Sequence, residues 1–100
     1  MLLLPVTLTA DEAADTLRLL THAMQTEGSA GDVVVDATPL QQLDSAALAV
    51  LLEIQRLADA WGRPFSVRGA PAKLLALARL YGVDALLFKA PPDDQRKPAT

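Results

Sequence analysis

The sequence predicts an α/β fold organised around a strand-helix-strand unit in the middle of the chain. Val33 to Val35 form an uninterrupted β-branched run that ends at Asp36, a pattern typical of a parallel strand buried on both faces. A long apolar periodicity begins at Ser45, and a second short strand is predicted at Phe65 to Arg68. Because parallel strands need a crossover connection, we expect the helix to join these strands as a right-handed βαβ unit.

Composition favours one compact domain and excludes several classes of function. The chain has 100 residues, of which 51% are hydrophobic, enough for a single core. Residues 1–88 are predicted to form that domain, and the polar, proline-containing residues 89–100 a flexible tail. The absence of cysteine excludes a thiolate metal site and favours a reducing, cytoplasmic location. Scattered basic residues and a net charge of −3 argue against nucleic acid as a partner.

The N-terminal segment predicts one strand followed by one helix. Leu2 to Thr9 is apolar but far shorter than the ~20 residues of a membrane span. We interpret it as an edge strand, because Pro5 lacks an amide donor. A helix capped by Thr9 or Asp11 should then run to about Glu27.

This helix has an apolar side and a polar side, and glycines follow it. The apolar stripe consists of Ala13, Leu17, Leu20 and Met24. The opposite side consists of Asp11, Asp15, Arg18 and His22. His22 is the only histidine, so we expect it to lie in water and not in a metal or catalytic site. Gly28 to Gly31 is predicted to end the helix.

The central helix should begin at or next to Ser45, where Asp44 and Ser45 offer a cap. Its predicted sheet-facing side consists of Ala47, Val50, Leu51, Ile54, Leu57, Ala58 and Trp61. The outer side is unusually apolar and consists of Ser45, Leu48, Ala49, Leu52 and Arg56. Two interpretations remain open. Leu48 and Leu52 either tuck under the preceding loop, or they form a docking patch for a partner beside the Ser45 hydroxyl.

A third helix is predicted to begin at Pro71 and to end at Gly82. Its expected buried stripe is Leu74, Leu77, Ala78 and Tyr81. Val83 to Phe88 forms either a last short strand or a helical turn, since so short a segment carries no decisive periodicity.

The chemical inventory favours binding over catalysis. Neither phosphate-binding glycine loop occurs, and Ser45 lacks the G-x-S-x-G context of a hydrolase nucleophile. Asp36 and Asp44 flank the central loop and are compatible with a weak metal or acid/base pair. We favour a structural role, in which Asp36 shapes the loop and Asp44 faces the positive end of the helix. No cofactor or metal is expected.

These residues resemble the STAS domain, the fold of anti-sigma factor antagonists. The family's pattern is a strand that ends in Asp, a short loop and D-S/T-x-G-L at the start of a helix. Asp36, Asp44, Ser45 and Leu48 match it, and Ala47 replaces the glycine. A second stretch looks most like the MlaB branch of the family, the small cytoplasmic STAS subunits of bacterial phospholipid-transport ABC systems. Its residues are Gly69, Lys73, Leu74, Leu77, Leu80 and Tyr81.

The resemblance implies a STAS-type sheet of about four strands, with helices packed mainly on one face. It also implies a non-enzymatic protein that binds the ATPase subunit of an ABC transporter for phospholipid transport. The implied binding residues are Ser45, Leu48, Ala49, Leu52 and Arg56. Such a protein is cytoplasmic and reaches the inner membrane only through the transporter.

Two further partners are compatible with the sequence. In the alternative function, an anti-sigma factor antagonist, a serine kinase phosphorylates Ser45 and thereby releases the partner. The added charge of roughly −1.5 to −2 would oppose an apolar contact at this helix end. In addition, a single N-terminal strand would leave an open backbone ladder, which permits a weak homodimer through sheet extension.

Overall fold

A computed structural model of the chain describes residues 1–26 and 31–88. The elements in these ranges are β1 Leu2–Leu3, β2 Thr7–Leu8, α1 Ala10–Thr26, β3 Val33–Asp36, β4 Gln42–Leu43, α2 Ser45–Ala60, β5 Phe65–Arg68, α3 Ala72–Leu80 and α4 Asp84–Leu87. The predicted tail, residues 89–100, and the predicted helix end at residues 28–30 lie outside the described residues.

The strands form two small parallel sheets. In the larger sheet the order is β1-β3-β5, and in the smaller one β2 pairs with β4. Strand β3, helix α2 and strand β5 therefore form the predicted parallel strand-helix-strand unit, and the α/β class is confirmed. The described ranges contain five strands, one more than the resemblance implies. β1 and β5 are the edges of the larger sheet, and the dimer through sheet extension stays a prediction.

The single strand predicted at Leu2 to Thr9 is wrong, because the segment divides at Pro5. Its first part pairs with β3, where the Leu4 amide donates to the Asp36 carbonyl at 3.0 Å. Its second part pairs with β4, inside a segment that the sequence presented as a loop. Proline lacks an amide donor and restricts the residue before it, so a change of sheet at this point costs no ladder hydrogen bond.

The larger sheet buries one face. Val33 pairs with Phe65, and Val35 lies in register between Leu2 and Val67, so these side chains share a face. Val33 and Val35 are fully buried, with exposed fractions of 0%. The residues on the other face are Leu3, Val34, Asp36, Ser66 and Arg68.

The open face changes the interpretation of β3. Leu3, Ser66 and Arg68 are exposed, and Val34 is half-buried. The prediction that β3 is buried on both faces is therefore only partly right. One-sided burial is what a sheet shows when helices cover mainly one of its faces.

Helix α1 packs through the predicted stripe and is fixed at its first turn. Leu20 and Met24 are buried, and Thr16 joins them although the sequence pattern gave no indication of it. The Thr9 amide and hydroxyl both donate to Glu12 Oε1, at 2.8 and 2.7 Å. These two hydrogen bonds hold the pKa of Glu12 below its usual value.

Helices α2 and α3 are each followed, after one C-cap residue, by a glycine with positive φ, and the glycine stop of α3 was predicted. At the end of α3 the Val83 amide donates to the Ala78 carbonyl at 2.9 Å, and the Gly82 amide donates to the Arg79 carbonyl at 3.1 Å. This is a Schellman arrangement, which ends the helix and turns the chain sharply. The turn leads into α4, so the helical alternative for the last segment is the correct one.

Three residues differ from the sequence expectation at these helix ends. Pro71 is the N-cap of α3 and not its first helical residue. Trp61, predicted to face the sheet, is 39% exposed, and Tyr81, predicted to be buried, is 57% exposed. Both aromatic residues occupy C-cap positions, beyond the last helical residue, so the helical periodicity no longer places their side chains.

Candidate functional site

The outer surface of α2 begins at a capped helix end. The Asp44 backbone is extended, and its side-chain Oδ1 accepts a hydrogen bond from the Ala46 amide at 2.8 Å. Asp44 is thus the N-cap, and Ser45 is the first helical residue with an exposed side chain. Asp44 therefore caps the helix without the Ser45 hydroxyl, and Ser45 itself is exposed.

The same carboxylate also contacts the first helix. Asp44 Oδ2 accepts a hydrogen bond from the Ala10 amide at 3.2 Å, and Ala10 is the first residue of α1. The strands that precede the two helices are paired in register, Leu8 with Leu43. Helices α1 and α2 consequently begin side by side, with Asp44 between their first turns.

The predicted outer surface of α2 divides by burial. Ser45, Ala49 and Arg56 are exposed, and Leu52 is half-buried. Leu48 is only 3% exposed and belongs to the main hydrophobic core. Of the two interpretations that the sequence left open, the buried one is correct for Leu48, whereas Leu52 keeps part of its side chain at the surface.

A groove runs along this surface and includes two residues that were not predicted to belong to it. Its volume is about 250 Å³, and it is lined by Ser45, Leu48, Ala49, Leu52, Tyr81 and Val83. Tyr81 and Val83 come from the turn between α3 and α4, on either side of Gly82. The signal available in the sequence was the helix stop at Gly82, which removes Tyr81 from the buried stripe.

A surface ion pair marks the far end of the outer side of α2. Arg56 Nε and Nη2 donate to Glu53 Oε1 and Oε2 at 3.0 and 2.5 Å. The pair raises the pKa of Arg56 and lowers that of Glu53 through these hydrogen bonds and charges. Because the Arg56 side chain is largely solvated and Glu53 is only half-buried, the pair contributes little to stability, but it gives the Arg56 guanidinium a defined direction.

The side chains of both aspartates that flank the central loop accept hydrogen bonds from backbone amides. The Thr38 amide donates to Asp36 Oδ1 at 2.9 Å, and hydrogen bonds from the Thr38 side chain and amide hold the pKa of Asp36 below its usual value. Asp44 accepts the two helix amides described above. These are the contacts of carboxylates that shape a loop and cap helices.

No cation site emerges around these acids. Within residues 1–26 and 31–88, no group of three or more His, Asp or Glu side chains is arranged to hold a metal ion. His22 is exposed on α1. What the site offers is an apolar groove with a hydroxyl at one end and a guanidinium beyond the other, an arrangement suited to contact with another molecule.

Comparison with known proteins identifies the family of the chain. A protein-family model described as "Mlab, STAS domain" matches residues 4–88, which include α2 and the turn between α3 and α4. The comparison with curated proteins finds no match. In the described part of the chain, no helix combines the length and the apolar character that crossing a bilayer requires.

Proposed function

Because the chain belongs to the STAS domain family, in its MlaB-like branch, we propose that it binds the ATPase subunit of an ABC transporter for phospholipid transport. The observation that carries this proposal is the apolar groove on the outer side of α2. The protein acts as a binding subunit and performs no chemical step itself. Lipid is handled by the assembled transporter.

The groove supports docking because of its composition and its size. Leu52, Ala49 and Val83 supply aliphatic surface, and Tyr81 supplies an aromatic wall with a polar tip. A volume of about 250 Å³ accommodates one large apolar side chain of a partner. Ser45 at one end offers a hydroxyl for a directional hydrogen bond, so the site combines an apolar anchor with a polar contact.

The location follows from the proposed partner. An ATPase subunit of an ABC transporter works at the cytoplasmic side of the inner membrane, so we place this chain in the cytoplasm, peripheral to that membrane. Contact with the membrane is then indirect, through the transporter.

The test is co-purification of the chain with the ATPase subunit of the host's phospholipid-transport system. Leu52→Asp places a charge in the groove and should weaken the complex, because a buried unpaired carboxylate carries a large desolvation cost. Leu19→Asp controls for the added charge, since it makes the same substitution at a leucine on α1, away from the groove, that is 68% exposed. We expect the control variant to co-purify like the parent protein. An equal loss in both variants, or a loss in neither, would remove the groove from the proposal.

A second function is favoured by the exposure of Ser45 at the start of α2. In an anti-sigma factor antagonist, a serine kinase would transfer a phosphate to this hydroxyl. The Asp44 carboxylate lies next to it, so the phosphate would meet a like charge as well as the favourable helix end. Intact mass after incubation with the host's serine kinases and ATP would rise by one phosphate, and Ser45→Ala would abolish the gain. An unchanged mass argues against this function.

A further inference from the structure

One carboxylate serves the first turns of two helices. Asp44 Oδ1 accepts the Ala46 amide of α2 at 2.8 Å, and Oδ2 accepts the Ala10 amide of α1 at 3.2 Å. Few side chains are able to do this, because it requires two acceptor oxygens on a short, fixed stem. The geometry therefore distinguishes Asp44 from an ordinary N-cap, which satisfies one helix only.

Thr9 and Glu12 fix the first turn of α1 locally, but the amide of its first residue, Ala10, has its acceptor on another element. Thr9 precedes α1 and has the hydroxyl of a standard cap, but that hydroxyl donates to Glu12 Oε1 at 2.7 Å. A cap at Thr9 would in any case accept from the second or third helical amide, so the acceptor for the Ala10 amide, the first of the helix, comes from Asp44, 34 residues further along the chain. The first turn of α1 is thus tied to the helix that carries the groove.

We propose that Asp44 is a positioning residue for docking, which holds the first turns of α1 and α2 in one register and so presents the Ser45 end of the groove in a fixed arrangement. This inference rests on the proposed function, because it concerns the same site. If the link to α1 is lost, the first turns of α1 and α2 are able to shift relative to each other, and their register must be fixed when the partner binds. That ordering reduces affinity without removing any residue that lines the groove.

Two substitutions separate the two roles of the carboxylate. Asp44→Ser and Asp44→Asn both keep a side-chain oxygen that caps α2. Serine has one oxygen and a shorter stem, and asparagine presents at most one acceptor oxygen beside an amide donor. Neither therefore serves both amides. Thr9→Ala is the matched control, since it removes the hydroxyl contact to Glu12 at the same end of α1 but leaves Asp44 intact.

Amide hydrogen exchange measures the link itself without a partner. In both Asp44 variants the Ala10 amide should exchange about tenfold faster, which is the effect of losing a hydrogen bond to a charged acceptor. The Ala46 amide should stay within about threefold of the parent rate, because its cap remains. Unchanged exchange at Ala10 in both variants would overturn the proposal.

Affinity for the purified ATPase subunit then measures positioning. We expect both Asp44 variants to bind about five- to tenfold more weakly and Thr9→Ala to bind within about twofold of the parent. Faster exchange at Ala10 with unchanged affinity would show that Asp44 is a structural cap alone and would overturn the positioning role. If the parent protein does not bind the ATPase, the proposed function fails and the positioning role fails with it. The exchange data still report on the shared cap in that case.

Discussion

The different burial of Leu48 and Leu52 predicts different consequences for stability. Leu48 is 3% exposed and packs in the core, whereas Leu52 is half-buried and lines the groove. Truncation of a buried leucine to alanine removes its transfer free energy and leaves a cavity, at a cost of about 2–5 kcal/mol. Truncation at Leu52 loses only part of this contact, so we expect a cost of about 1 kcal/mol.

These free energies correspond to separable melting temperatures. For a domain of this size, 1 kcal/mol lowers the Tm by roughly 4–8 °C. Leu48→Ala should therefore lower the Tm by roughly 8–40 °C, and Leu52→Ala by roughly 4–8 °C. Thermal unfolding followed by circular dichroism, with urea unfolding at constant m-value, measures both variants under the same conditions.

The Tm values of Leu48→Ala and Leu52→Ala also define the result that would contradict this prediction. Equal Tm values for the two variants, or a larger loss for Leu52→Ala, would refute the assignment of Leu48 to the core and of Leu52 to the groove. The experiment also guides the docking tests, because a strongly destabilised Leu48 variant would lose its partner by unfolding.

Three further predictions concern stability. Gly69→Ala should destabilise the domain by about 1–3 kcal/mol in urea unfolding, because Gly69 has a φ of +68° and the new Cβ would lie 2.2 Å from Thr38 Oγ1. Adding Thr38→Ala to this variant should recover part of the lost stability. The lowered pKa of Glu12 means that its carboxylate stabilises the fold above its ordinary pKa of 4.5 and ceases to do so as the pH falls through the folded value. The free energy of unfolding should thus decline below about pH 5, less steeply in Glu12→Gln; identical slopes would contradict this. Arg63→Met should cost about 2 kcal/mol by the same assay, since the buried guanidinium donates to two backbone carbonyls at 2.9 and 3.2 Å, and an unchanged midpoint would show that these bonds contribute nothing.

Local chemistry is what the sequence predicts well. The start of α2 at Asp44 and Ser45 and the end of α3 at Gly82 follow from capping rules that act over one helical turn. The parallel pairing of β3 with β5 follows from two short apolar runs separated by a helix. The two helix ends depend on residues close together in the chain, and the strand pairing follows from the general rule for strands joined by a crossover helix.

The wrong predictions concern features that depend on contacts between residues far apart in the chain. Strand β4 has only two residues and exists because it pairs with β2, so neither its length nor its composition distinguishes it from a loop. Leu48 lies on the flank of α2, where the helical projection does not settle its side, and neighbouring elements bury it. Tyr81 reaches the groove only because the turn after α3 packs beside α2, a contact that no local pattern encodes.

The central claim is that the outer side of α2 and the α3–α4 turn form the surface that contacts an ABC ATPase. Hydrogen exchange of the chain with and without the purified ATPase subunit tests this directly. We predict slower exchange in residues 45–56 and 80–84 when the ATPase is added, with unchanged exchange on the open face of the larger sheet around Ser66. Protection confined to that sheet face, or an exchange pattern that the ATPase leaves unaltered, would contradict the claim.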